Sequence, residues 1–178
     1  ITTTAGHFLK SGTALEVDGP EGFRRVIREQ IKNGVDFIKL NMTGGIMGPP
    51  WDGMPTTFPL PDEIESAFGI CRQRGYKVVA HAGGTEGIKI AVQAGAHTIE
   101  HGYQLDDEAV SMMVEKGTFY VPTISLSHLH RGPDYAASTY EKEWTLENPT
   151  REDYRLRAVA AAEVHAEGFR KAIEAGVK

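Results

Sequence analysis

The stretch Gly75 to His101, GYKVVAHAGGTEGIKIAVQAGAHTIEH, decides the fold. Tyr76-Lys77-Val78-Val79-Ala80-His81 is a β-rich run. Thr85 to Ala94 has the length and apolar content of a helix, and Ala96-His97-Thr98-Ile99-Glu100-His101 is a second β-rich run. Gly75 and Gly95 stand where helices stop, because glycine enters left-handed backbone without a Cβ clash. A strand, a helix and a strand in succession predict a crossover between parallel strands. Lys77-Val78-Val79-Ala80 is apolar on successive residues, as expected of a sheet covered on both faces.

The same order recurs outward in both directions. Gly22 to Asn33 places Phe23, Val26, Ile27 and Ile31 on one helical face, Gly34 follows, and Val35 to Leu40 reads as a strand. Pro61 to Arg74 is a helix with Asp62 and Glu63 near its start, where the helix dipole favours acid. Asp106 to Lys116, Gly117 and Thr118 to Thr123 repeat helix, cap and strand, and Thr150 to Ala175 is a long helix ending at Gly176. Ile1 to Ala5 reads as a further strand, and Val177-Lys178 as the first step of another. An open doubly wound sheet and a closed (β/α) barrel both satisfy this alternation. No GxGxxG or GxxxxGK[ST] follows any strand, which removes support from the nucleotide-binding open sheets. About five complete or partial strands are too few to close a barrel, so the 178 residues are expected to be an excised part of one domain, truncated at both ends.

Composition bounds the function. The chain carries 24 acidic and 19 basic residues, a net charge of −5, and so lacks the basic footprint of a nucleic-acid binder. No apolar run approaches the roughly 20 residues of a membrane span. The N-terminus has no basic region ahead of an apolar stretch, and a cytoplasmic location is the default expectation. The single cysteine, Cys71, excludes an internal disulfide framework and an all-cysteine zinc site. A small-molecule substrate is the expected partner, with homo-oligomerisation left open.

Three predicted strands end on a side chain capable of metal chemistry: Lys39, His81 and His101, separated by 81 − 39 = 42 and 101 − 81 = 20 residues. In a barrel, functional groups cluster at the C-terminal ends of strands. A histidine before glycine is as well explained by a turn as by a ligand. Lys39 is harder to explain structurally, since a lysine after Phe37-Ile38 is desolvated unless paired. Burial also lowers an amine toward nucleophilic pKa values. An ordinary salt bridge is the plainer alternative.

Val78-Val79-Ala80-His81-Ala82, Gly87 to Ala96 and Thr98-Ile99-Glu100-His101-Gly102 together resemble the central part of the amidohydrolase superfamily, in the branch of imidazolonepropionase and the Xaa-Pro dipeptidases. Asp106-Asp107-Glu108 and Ile1 to His7 are similar too, so the likeness covers nearly the whole chain. It implies a (β/α)8 TIM barrel, of which this chain covers roughly the third strand to the helix before the eighth. It implies a metal-dependent hydrolase of amide, peptide-like or cyclic amide C–N bonds. In binuclear members a carboxylated lysine ending the fourth strand bridges two divalent metals, often zinc, and histidines ending the fifth and sixth bind one of them. Lys39, His81 and His101 match those positions. The family's His-x-His pair and eighth-strand aspartate have no counterpart in these residues, which predicts little activity for them alone.

The remaining candidates are weaker. His7, after the first β-rich run, and Tyr103, two residues past His101, are expected to touch substrate, as are Trp51 and Arg131. Trp51, Met47 and Met54 belong to the Gly/Pro-rich stretch Met42 to Leu60, read as a loop with an apolar surface over the pocket; Arg131 could bind a carboxylate from the second long loop. His128-Leu129-His130 is read as loop, His97 as structural, and His165 as lying on a solvated or packing helix face. Glu100 is expected to point away from His101 by strand alternation, and so to be structural. Two other readings are kept: Lys39 as a Schiff-base nucleophile in an aldolase-like barrel, and a catalytically silent, oligomerising half-barrel.

Overall fold

Four parallel strands form one sheet in sequence order: β1 (Phe37–Asn41), β2 (Lys77–Ala82), β3 (Thr98–His101) and β4 (Phe119–Val121). Each is followed or preceded by a helix: α1 (Gly19–Lys32), α2 (Pro61–Arg74), α3 (Thr85–Ala94), α4 (Asp107–Lys116) and α5 (Arg151–Ala175). The computed structural model describes residues 1–7, 13–46, 51–125 and 151–178.

α1 packs on α2, α2 on α3, α3 on α4 and α4 on α5, so the helices form one continuous layer. Strand register then sorts the side chains. The row Leu40–Ala80–Ile99 is buried and packs into the main core with Ile27, Phe68, Ile88 and Met113 from the helices. The alternate row Lys39–Val79–Thr98 is only half-buried. A doubly wound sheet reverses its strand order and carries helices on both faces. Sequential order with one helix layer is an arc of a (β/α) barrel, and this separates the two architectures that the alternation alone leaves open.

Local chemistry explains the element ends. Gly75, Gly95 and Gly117 close α2, α3 and α4 in left-handed backbone, at φ 74°, 102° and 69°. Asp106 caps α4 by accepting from the Ala109 amide at 2.8 Å. Glu63 does more than complement a dipole. It is buried and accepts from the Leu60 amide at 2.7 Å and the Gly19 amide at 2.6 Å, which ties the start of α2 to the start of α1. Lys89 on α3 pairs with Asp106 and Glu108, and Lys171 on α5 pairs with Asp107, so the helix layer is also joined by exposed ion pairs.

The predicted helices α2 and α3 have the observed bounds, while α1 starts three residues earlier at Gly19. The expected strand over Ile1 to Ala5 is not formed. Thr2 makes one parallel bridge to Glu16, and Ile1 alone lines β1, donating to the Lys39 carbonyl at 2.8 Å and accepting from the Asn41 amide at 2.9 Å. Gly6 breaks any continuation, since it turns back to donate to the Thr3 carbonyl at 2.9 Å. On the opposite edge the Tyr120 amide donates to the Lys178 carbonyl at 2.8 Å, in keeping with a strand step at Val177-Lys178.

Candidate active site

β2 sets the centre of the site. His81 is the fifth of its six residues and is buried, at 3 % exposure, on the side of the sheet away from the helices. Its Nε2 lies 3.1 Å from the Gly44 carbonyl, an acceptor that requires the hydrogen on Nε2 and leaves the lone pair on Nδ1. Burial, reinforced by the neighbouring His7 and His101, holds its pKa well below the usual imidazole value.

His101 reaches the same place by a different backbone. Strand alternation would put its side chain with Ile99 on the helix side. Instead His101 adopts φ 71°, a left-handed conformation rare for residues other than glycine, and its ring stands edge-on to His81 at 4.6 Å between centroids. Its Nδ1 is 2.6 Å from Thr123 Oγ1. Burial, with Lys39 as the next cause, pushes its pKa down to about 3.

Lys39 shares its row with Val79 and Thr98, and sits two residues before Asn41 in the row of His81. Desolvation lowers its amine to about 8, against the smaller upward pull of Glu100. Glu100 therefore belongs to the site. It is in the row of His81, on the inner face, and accepts from Thr98 Oγ1 at 2.6 Å. The expectation that it points away from His101 fails because His101, not Glu100, departs from ideal strand geometry.

His7 joins the group: buried, it stacks on His81 at 4.2 Å, and its Nδ1 lies 2.7 and 2.9 Å from the two carboxylate oxygens of Asp52. Tyr103 stacks on His101 at 5.4 Å and meets His165 at 4.9 Å. Rings thus run in a row His7–His81–His101–Tyr103–His165, and α5 supplies its far end from a packing face. Trp51 is not brought to this row; it is 47 % exposed, while the adjacent Asp52 is buried. His97 packs on Phe119 at 5.0 Å, a structural contact at the other end of the sheet. Arg131, like His128, His130 and Met47, lies outside the described residues.

The segment after β1 holds the site together. Gly44 accepts from His81, Thr43 Oγ1 accepts from the Gly83 amide at 2.8 Å, and Asp52 holds His7. A Cβ on Gly45 would stand 2.7 Å from His7 Cε1, and one on Gly84 only 2.4 Å from the Met54 carbonyl oxygen. These glycines permit contacts that no other residue would. Asp52, Glu100 and Thr123 escape a reading by sequence. Asp52 meets a partner 45 positions away, and Thr123 is one more polar residue at a strand end.

Two neutral imidazoles, each with one nitrogen engaged by a protein group, have the chemistry of metal-ligating histidines. Among the described residues no three of His, Cys, Asp and Glu gather as a cation site. The third donor near the two imidazoles is Lys39, whose charge acts on both. Lowering the Lys39 pKa to about 8 enlarges the neutral fraction of its amine, the form that can react with CO₂, and the resulting carbamate would be an anionic oxygen donor.

The chain is similar to known proteins in both sequence and fold. The model of the amidohydrolase family matches residues 7–178. Ochratoxinase of Aspergillus niger is 29 % identical over 167 residues, 94 % of this chain and 32 % of the relative. The structure of a Xaa-Pro dipeptidase with methionine bound in its active site has a TM-score of 0.76 at 31 % identity, over 100 % of this chain and 44 % of that one. A prolidase complexed with N-methylphosphonate-L-proline gives 0.76 at 31 % identity, over 93 % and 38 %. The chain spans about a third of the length of the curated ochratoxinase it matches.

Proposed function

The chain belongs to the amidohydrolase family, and from that premise we propose that the whole protein hydrolyses a C–N bond of a small amide, peptide-like or cyclic amide substrate. The reading includes a divalent metal held by His81 Nδ1, His101 Nε2 and a carboxylated Lys39. Zinc suits neutral imidazole and carbamate oxygen. The observation that carries the proposal is the contact of the His81 and His101 rings near the ends of adjacent parallel strands, with Lys39, from the middle of β1, close enough for its charge to act on both.

When bound, such a cation supplies activated water at neutral pH and a Lewis acid for the scissile carbonyl. The chain's own residues do the rest. Gly44 and Thr123 orient the two imidazoles, and Asp52 fixes the His7 hydrogen on Nδ1. Tyr103 and His7 flank the imidazole pair and form the substrate-facing surface in this proposal. Lys39 has its amine lowered to about 8, so a sizeable neutral fraction is available to take up CO₂.

The test is metal analysis of the full-length protein, with amine release from Xaa-Pro dipeptides and N-acyl amino acids measured before and after chelation. The dipeptidase and prolidase names point the first assays to the dipeptides, and the family's amide chemistry to the second class. Expected results are bound divalent metal, chelator-sensitive turnover, and a carbamate carbon signal on exposure to ¹³C-bicarbonate that is absent in Lys39→Arg. Turnover that survives complete metal removal would sink the metal reading. Borohydride trapping of a carbonyl substrate on Lys39 would replace it by the Schiff-base reading.

A further inference from the structure

His101 and Thr123 both occupy left-handed backbone, at φ 71° and 47°, and the two are hydrogen-bonded to each other. Among the described residues the only other non-glycine residue with positive φ is Ala5. A β-branched residue in that region is an outlier that persists only where its surroundings over-determine it.

The surroundings here are β4 and the turn after it. Tyr120 Oη donates to the carbonyls of His101 at 3.0 Å and Gly102 at 3.1 Å. Gly102 follows at φ 55°, and a Cβ there would lie 2.7 Å from Tyr120 Cε2, so the tyrosine ring rests directly on the turn. The Gly102 amide donates back to the Ala82 carbonyl at 3.1 Å. The backbone of His101 is thus clamped from β2 and β4, and Thr123 takes hold of the ring.

We infer that Thr123, seated by the turn after β4, is a positioning residue that sets the tautomer of His101. Thr123 Oγ1 accepts the hydrogen on Nδ1, and the Nε2 lone pair is held for a ligand. Tyr120 keeps the backbone in the conformation that makes this possible. Histidine in water prefers its hydrogen on Nε2, so the clamp selects the less favoured form. A threonine hydroxyl can donate or accept, so the direction of this bond, like the choice of Nε2 as ligating atom, rests on the hydrolase reading, in which Nε2 faces the ligand and Nδ1 carries the hydrogen.

The experiment is ¹⁵N NMR of histidine-labelled, metal-free full-length protein near pH 7.5, assigned through a His101→Gln variant, for the wild type, Thr123→Val and Thr123→Ser. The expected result is an Nδ1–H tautomer for His101 in the wild type and the serine variant, shifting toward Nε2–H in the valine variant. The same series should show divalent-metal affinity falling 10- to 100-fold in Thr123→Val and recovering in Thr123→Ser. An Nε2–H wild type, or a valine variant with the wild-type tautomer, overturns the assignment. Because the wild-type spectrum decides the first point, misfolding of the valine variant does not rescue it. A protein with the expected tautomers that binds no metal refutes the hydrolase reading and leaves Thr123 as the determinant of the ring's tautomer.

Discussion

Lys39→Met should make the metal-free protein more stable while removing its activity. The amine falls from 10.5 to about 8 on folding, a depression caused first by desolvation. At about 1.4 kcal/mol per pKa unit, the ceiling on the cost of keeping the charged amine in the fold is roughly 3.5 kcal/mol. Lys39 retains some exposure, and solvent screening brings the expected value to about 2 kcal/mol. Methionine has similar length and flexibility, and needs no hydration. The sign follows from linkage: a lysine whose folded pKa is depressed carries the full penalty below pH 8, a shrinking one between 8 and 10.5, and none above. Urea denaturation of chelator-treated protein in CO₂-free buffer should therefore show Lys39→Met ahead by about 2 kcal/mol at pH 7, with the gap closing by pH 10.5. Equal stability at pH 7, or a gap that does not change with pH, would refute the idea that this lysine is held against a desolvation cost.

Further expectations concern neighbouring features. His101, neutral in the fold down to about pH 3, protonates near 6.5 when unfolded; its stability contribution is intact above 6.5 and is lost at about 1.4 kcal/mol per pH unit below it. His81 shifts in the same direction, so denaturation midpoints of the metal-free protein should fall steeply from pH 7.5 to 5, and a flat profile would contradict two buried neutral imidazoles. Cys71 is 1 % exposed and burial raises its thiol to about 11; it should resist thiol reagents in native buffer and react at once in denaturant. Gly84→Ala drives a Cβ against backbone atoms of Met54 and Pro55 at 2.4 to 3.0 Å, which should destabilise by about 1–3 kcal/mol and disturb the Gly44 contact to His81. A variant as stable and active as wild type would show that this segment yields freely.

What was legible in the sequence was what local chemistry controls. Pro61 and Gly75 bound α2, and Gly95 ends α3, because proline and glycine act on their own backbone. His81 and His101 could be found because strand ends repeat after each glycine-capped helix; Lys39, expected at such an end, stands in the middle of β1 because that strand runs on to Asn41. What escaped depends on contacts far apart in the chain. Asp52 lies in a stretch read as apolar cover, and only folding places it on His7. Alternation sends Glu100 away from His101 only on an ideal strand, and the left-handed turn at His101 is imposed by Tyr120 in the next strand and Thr123 in the turn after it. The expected strand at Ile1 to Ala5 was a composition reading, and the Gly6 turn limits its pairing with β1 to Ile1.

The sequential strand order also has a consequence in time. Partners in β2 and β3 are 98 − 79 = 19 residues apart and those in β3 and β4 are 119 − 98 = 21, whereas β1 and β2 are 77 − 37 = 40 apart. Doubling a loop adds only about 0.6 kcal/mol of closure entropy, yet that bias favours the shorter closures. On closure entropy alone, the two imidazoles are brought together before the lysine arrives. The amine is then stripped of water last, by a partly built wall, and its desolvation falls late on the folding route, where it speeds unfolding more than it slows folding.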